Sequence, residues 1–268
     1  MKNSNIKVNH SYPKMTELFD IVVPVGPNDI EHIELQISHC RKNILGFRKI
    51  FIVTPFKDLK VDGCTVIDES IYPFTMKDVI EIRKVHAEST HERNGWYIQQ
   101  LLKLYAPFVI PDLMDTFLVV DSDAFFLKPT TFIVNGKCAY NPSREYNPPY
   151  FVHMAKMHPS LTRQYQQMSG VSHHMIFEKE RVQGLMDLVQ SYHNNRPFWR
   201  LFLEFGTEYA GASEYEMYFN YMLKYHPTRI QIRPLRWANT RQYISSSQAQ
   251  QQNIPLDYIA WHWHLRDK

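Results

Sequence analysis

Cysteine pairs, long apolar runs and an excess of one charge are all missing from this 268-residue chain. Its three cysteines, Cys40, Cys64 and Cys138, stand far apart, which excludes a disulfide scaffold and any CxxC zinc knuckle. So few thiols suit a reducing compartment. The most apolar stretch, Phe108 to Val120, is broken by Pro111, Asp112 and Asp115, and no run approaches the ~20 residues of a spanning helix. Met1 to Asn9 is polar and leads into no apolar segment, so no signal peptide is predicted and a soluble, cytoplasmic chain is expected. Lysine and arginine total 30 against 27 acidic residues, and a net charge of +3 creates no field that would gather nucleic acid. The phosphate loops GxGxxG and GxxxxGK followed by Ser or Thr are absent, as is the GxSxG elbow.

What is present can build a core. Hydrophobic residues make up 44% of the chain, far above the disordered range. No internal repeat or clean linker divides it, so one domain over 19–268 is expected behind a polar arm over 1–18. Ile21-Val-Val-Pro-Val-Gly-Pro27 and Lys49-Ile-Phe-Ile-Val-Thr-Pro55 are β-branched runs closed by Pro or Gly, separated by a helical segment from Asp29 to Asn43. That alternation predicts an α/β fold with a mostly parallel central sheet flanked by helices. Cys64–Ile67 reads as a third strand. Helices are predicted from Thr75 to about Glu88 and from Gly95 to Tyr105, the second capped by Asn94 and stopped before Pro107. Thr116 to Asp123 is a central strand that ends abruptly in carboxylates. A strand pair near 132–140, a Pro-rich loop at 141–149 and a strand at 171–177 follow. The expected helices at Lys179–His193 and Ser213–Tyr225 precede a strand at Arg229–Pro234, and the Ser/Gln-rich tract 245–253 reads as a mobile loop.

Asp121-Ser122-Asp123 carries the strongest chemical signal. Ligands of open α/β sheets bind beyond the carboxyl ends of strands, and residues i and i+2 of an extended chain point the same way. Both carboxylates can therefore face one hard cation, Mg²⁺ or Mn²⁺, which bridges phosphates. A solvated strand-end turn explains the same residues without a metal. On the helix after Asn94, Trp96, Gln100 and Lys103 share one stripe. A solvated face is the simpler account of that stripe, and a donor-site wall with Lys103 opposite a leaving diphosphate is the functional one. In Ser213-Glu-Tyr-Glu216, Ser213 and Glu216 have capping-box spacing. That leaves Glu214 without local work, either as a complement to the helix dipole or aimed into a cleft. The C-terminal Trp261-His-Trp-His264 puts two imidazoles on one face if extended, either hydrogen-bonded or bound to a metal. Of the strand neighbours His173 and His174 at most one faces a cleft, and His174 is expected to meet the acceptor.

The strand-loop Ile21–Asp29, the block Gly95-Trp-Tyr-Ile-Gln-Gln-Leu-Leu-Lys-Leu104, then Val119–Asp123 and Ser213–Glu216 resemble nucleotide-sugar glycosyltransferases of the GT-A fold. They are similar to a family of small glycosyltransferase-like domains found in bacteria and large DNA viruses. The resemblance spans roughly Asp20 to His264 and implies a Rossmann-like donor half over about 19–130 and an acceptor half over about 131–268. It implies a nucleoside cradle at Pro24, Val25, Gly26 and Asp29, with Asp121 and Ser122 at the ribose and pyrophosphate. It also implies Mn²⁺ or Mg²⁺ on Asp121, Asp123 and a C-terminal histidine, His262 or His264, with His262 slightly favoured. A carboxylate at the helix start, Glu214 ahead of Glu216, would deprotonate the acceptor of an inverting transfer. The implied partners are a nucleotide diphosphate sugar, UDP-linked by resemblance, and a glycan or glycoprotein acceptor. Two other classes remain open: a haloacid-dehalogenase-type phosphatase and a non-catalytic sugar- or nucleotide-binding module. Against the phosphatase, its motif wants Thr or Val where this chain has Phe125 and opens the domain instead of lying mid-chain.

Overall fold

The computed structural model describes residues 18–86 and 93–266. The expected arm therefore lies outside the described residues, apart from Leu18. Five strands form the central sheet: β1 (Phe19–Pro24), β2 (Phe47–Thr54), β3 (Thr65–Asp68), β4 (Thr116–Val120) and β5 (His174–Glu178). Their order across the sheet is β5-β4-β1-β2-β3, with β5 antiparallel to β4 and the other neighbours parallel. All six residues of β1 are buried, as is Phe117–Val120 of β4. Strands covered by helices on both faces leave no side for water, so they read as continuous apolar runs. Asp20 breaks the run in β1 yet is fully buried. Its carboxylate accepts the Arg48 guanidinium at 2.7 and 3.0 Å and the backbone N–H groups of Lys49 and Met114. Those donors are what make a buried charge tolerable.

Among the described residues there are eight α-helices: α1 (Ile33–Asn43), α2 (Met76–His86), α3 (Asn94–Val109), α4 (Pro148–Met157), α5 (Lys179–Tyr192), α6 (Phe198–Phe205), α7 (Glu214–Tyr225) and α8 (Ser246–Gln251). The α/β architecture with a mostly parallel, helix-flanked sheet is as the sequence predicts. Three local readings need correction, and one helix has no counterpart among them. Helix α3 does not stop before Pro107 but runs through it to Val109, with Arg93 at the cap position in place of Asn94. Proline removes one backbone donor there, but Ala106 and Pro107 are both buried, and packing outweighs the single lost bond. The loop expected to reach residue 149 ends earlier, because Pro148 occupies the first turn of α4, where a missing N–H costs nothing. Helix α6 was not anticipated. The tract 245–253 is not a loop: Ser245 and Gln248 form a reciprocal capping box for α8, and Ala249 is buried beneath it.

A small second sheet decides what surrounds the end of β4. Strand Ala124–Phe126 pairs antiparallel with Tyr258–Ala260, which pairs parallel with Trp237–Asn239. This brings the C-terminal segment alongside Asp123, whose carbonyl accepts the Trp261 N–H at 2.8 Å. Among the described residues no helix is long and apolar enough to cross a membrane.

Candidate functional site

The carboxyl ends of β4, β1, β2 and β3 open into a cleft of about 690 Å³. The loop after β1 contributes Val25, Gly26 and Asp29; α3 contributes Trp96, Gln100 and Lys103; the end of β4 contributes Asp121 and Asp123; and α7 contributes Glu214. The cleft lies where an open parallel sheet leaves its strand ends unobstructed. The stripe on α3 and the strand-end carboxylates therefore share one cavity with Glu214, which follows them by about ninety residues or more in the chain.

At its centre is a buried line of charge. The Lys103 ammonium is 2.5 Å from Asp121 Oδ1 and donates to Glu214 Oε1 at 2.7 Å. Lys103 and Glu214 are each 3% exposed. Burial by itself would lower the lysine, but the two carboxylates outweigh it and raise its pKa, so it stays charged. Glu214 moves up from the ordinary carboxylate range because burial opposes its charge more than Lys103 favours it. The expectation that Glu214 lacks local work is thus incorrect: its side chain binds Lys103, and its backbone N–H donates to Gln100 Oε1 at 3.0 Å. Gln100 ties α7 to α3. Tyr215 was not singled out from the sequence; its hydroxyl donates to Asp121 Oδ1 at 2.8 Å, and its ring underlies the Lys103 ammonium at 4.3 Å. Its one available signal was its place between the two glutamates.

The start of α7 is held from two directions. Ser213 is the cap, and its Oγ accepts the Glu216 N–H at 3.1 Å. The reciprocal half of the capping box is absent. The Glu216 carboxylate instead accepts from the Ser169 hydroxyl, the Gly170 N–H at 3.2 Å and the Asn220 amide at 2.7 Å. The loop leading into Ser213 is fixed by Tyr97, whose hydroxyl accepts the Gly211 N–H at 3.1 Å and lies 2.9 Å from the Gly206 carbonyl. A Cβ on Gly206 would come within 2.5 Å of the Tyr97 ring, so that close approach requires glycine.

Asp123 Oδ2 meets His262 Nδ1 at 2.5 Å. Burial would lower the imidazole, yet Asp123 outweighs it and raises the His262 pKa; burial would raise Asp123, yet His262 brings it down. Both directions describe an ion pair. The His264 ring stacks on His262 at 5.4 Å and 14°, so the two imidazoles share a side as expected, but the segment is a turn and not an extended strand. Trp261 packs toward Phe125 and Tyr243, whereas Trp263 is exposed. Arg266, also unanticipated, donates to Asp29 Oδ1 at 2.6 Å and to the Asn28 carbonyl at 3.0 Å, clasping the first loop.

Three expected site residues lie elsewhere. Pro24 is buried at the end of β1, and Ser122 is buried with its hydroxyl donating to Asp29 Oδ2 at 2.8 Å; neither lines the cleft. His174 is in the core, its ring 4.9–5.4 Å from Phe126, Phe132 and Tyr258. His173 lines the cleft in its place, 5.0 Å from the His262 ring. The reason is phase. His173 adopts φ +60°, outside the strand, and β5 begins at His174 with its side chain turned inward.

The donor types expected of a divalent-ion site are present. Asp121 and Asp123 each keep one carboxylate oxygen without a hydrogen bond among the described residues, and His262 adjoins Asp123. Oxygen and imidazole donors of this kind suit Mn²⁺ or Mg²⁺. They are not gathered into a ready-made cage: among the described residues, no three His, Cys, Asp or Glu converge closely enough to hold a metal.

Residues 18–244 match a Family of unknown function (DUF6492). No curated protein matches the chain. Among solved structures, the crystal structure of mouse Xyloside xylosyltransferase 1, apo form, aligns with a TM-score of 0.45 at 10% identity, covering 94% of this chain and 100% of that one.

Proposed function

This chain belongs to that Family of unknown function (DUF6492), and we propose that it is a glycosyltransferase moving a sugar from a nucleotide diphosphate sugar to an acceptor hydroxyl with inversion. The observation that carries the reading is the Asp121–Lys103–Glu214 line in one cleft. It holds a strand-end carboxylate suited to a donor site and a buried carboxylate suited to proton abstraction on either side of one ammonium, 2.5 and 2.7 Å from it. A binding module has no need of the second group.

In the proposed reaction the acceptor oxygen attacks the anomeric carbon as Glu214 accepts its proton. The bond from that carbon to the diphosphate oxygen breaks, and the nucleoside diphosphate leaves with the electron pair. Attack from the face away from the leaving group inverts the anomeric configuration. Burial raises the basicity of Glu214, and Lys103 holds its carboxylate aligned before the acceptor arrives. Asp121, Asp123 and His262 would hold Mn²⁺ or Mg²⁺, which, when bound, neutralises the charge developing on the diphosphate. The half over 19–130 would then carry the donor and that over 131–268 the acceptor. Trp96, Tyr150, Tyr209 and Trp263 line the same cleft and offer ring faces for stacking a glycan acceptor, free or on a glycoprotein.

The test is a mass-spectrometric screen of nucleotide sugars with Mn²⁺, followed by transfer assays on Glu214→Gln. That change keeps shape but removes the proton acceptor, so turnover should fall by about 10²–10⁴-fold with donor affinity nearly unchanged. Release of inorganic phosphate in the screen would instead indicate a phosphatase, and binding without turnover a non-catalytic module. Near-normal transfer by Glu214→Gln, or a retained configuration by NMR, removes Glu214 from the base role.

A further inference from the structure

Among the described residues five carboxylates line the cleft, and four of them, Asp29, Asp121, Asp123 and Glu214, are paired with a cation or a hydroxyl. Glu69 is the fifth. Its carboxylate makes no hydrogen bond or ion pair among the described residues, although burial, and then the neighbouring Asp68, raises its pKa. Asp68 itself is occupied by the Ser70 N–H at 2.9 Å and by Lys57 at 2.9 Å. Glu69 is half-buried and lines the cleft, and no group among the described residues occupies its carboxylate, which leaves both oxygens open to a donor from a ligand.

Its position follows from strand order. Asp121–Asp123 end β4, Val25 and Gly26 follow β1, Pro55 follows β2, and Glu69 follows β3 at the opening of the 3-10 turn Glu69–Ile71. Three strand spacings, about 14 Å, separate the two acidic ends of the row. A diphosphate at β4 extends its nucleoside along this row, with Val25, Pro55 and Met76 as apolar walls for the base. We infer that Glu69 reads the edge of the nucleobase and selects one whose ring nitrogen carries a hydrogen, uracil or guanine, over cytosine and adenine. This rests on the donor site proposed above.

The chemistry is that of an acceptor-only group. Uracil N3–H and guanine N1–H donate to a carboxylate. Cytosine and adenine can donate to it only through their exocyclic amine, and the lone pair of the adjacent ring nitrogen then faces the second carboxylate oxygen and repels it. Guanine also presents its exocyclic amine to the second carboxylate oxygen, which separates the two permitted bases.

Calorimetry with UDP, GDP, CDP and ADP, each with Mn²⁺, tests this on the full chain. UDP or GDP should bind on the order of tenfold or more tighter than CDP and ADP, because a mismatched base leaves polar groups unpaired. In Glu69→Gln the amide both donates and accepts, matching the amino and ring-nitrogen pair of cytosine or adenine, so the preference should collapse. Glu69→Ala should lose the preference without any gain for CDP or ADP. GDP above UDP in the wild type, with the larger loss in Glu69→Ala, assigns guanine; the reverse order assigns uracil. Equal binding of all four, or a preference unchanged in both variants, overturns the role of Glu69 while leaving the donor site standing. Binding of none of the four removes the donor site and this inference together.

Discussion

Replacing Lys103 by Met removes the ammonium between Asp121 and Glu214 while keeping most of the side-chain volume. At the 2.7 Å separation from Glu214, an effective dielectric near 20 gives an attraction of about 6 kcal/mol. Part of that offsets the desolvation of both ions, and breaking a buried pair by deleting one partner costs about 3–5 kcal/mol. Among the described residues Glu214 has no second side-chain partner to share the loss, whereas Asp121 keeps the Tyr215 hydroxyl at 2.8 Å and is partly solvated. The cost should therefore fall mainly on Glu214. Urea unfolding of Lys103→Met should show destabilisation in that range, with an unchanged dependence on denaturant. Adding Glu214→Gln removes the stranded charge, so the double variant should recover at least half of the loss. A Lys103→Met protein within about 1 kcal/mol of wild type would mean that the contact is worth no more than a surface pair. A double variant no more stable than Lys103→Met would mean that the stranded carboxylate is not the cause. Either result refutes the reasoning.

Further outcomes follow from other parts of the molecule. His153 is buried in α4, its Nε2 3.0 Å from the Phe202 carbonyl, and burial depresses it to about 4. The unfolded chain binds the proton first, so this contribution is present above pH ~6.5 and is lost as pH falls toward 4, a change of about 3 kcal/mol. His153→Gln should lose less stability over that window, and parallel pH profiles in urea would contradict the assignment. If His262 is a metal ligand, His262→Ala should weaken Mn²⁺-dependent nucleotide binding by roughly tenfold or more, while His264→Ala, exposed and stacked outside it, should change it little. Equal effects in calorimetry would assign the segment to packing. Ser245→Ala removes one half of the α8 capping box and should cost about 1 kcal/mol, read as a lower unfolding midpoint.

The readings that failed share a cause. A strand that is buried on both faces is largely apolar, so the cores of β1 and β4 were legible from their β-branched runs, and so was the point at Asp121 where the second run stops, although the buried Asp20 within β1 was not. The helical stretches of α1, α5 and α7 were legible from their apolar spacing and from Ser213 as a cap. Which imidazole faces the cleft was not legible, because one left-handed residue, His173, resets the phase of β5. Glu216 had the right spacing for a reciprocal box, yet Ser169, Gly170 and Asn220 from the surrounding fold compete successfully for it. The Ser245–Gln248 box had the same spacing and did form, on the surface, where no such competitor intervenes.

Local pattern alone therefore determined the α/β class, the carboxylates at the end of β4 and the carboxylate at the start of α7. Only the tertiary structure decided that these meet through Lys103, 111 residues before Glu214 in the chain, and that His262 closes on Asp123 from 139 residues away. Hydrophobic period and capping are short-range constraints written within a turn or a strand. The pairing of buried charges depends on which elements pack together, because each ion must find its counter-charge wherever the sheet and helices bring one within reach.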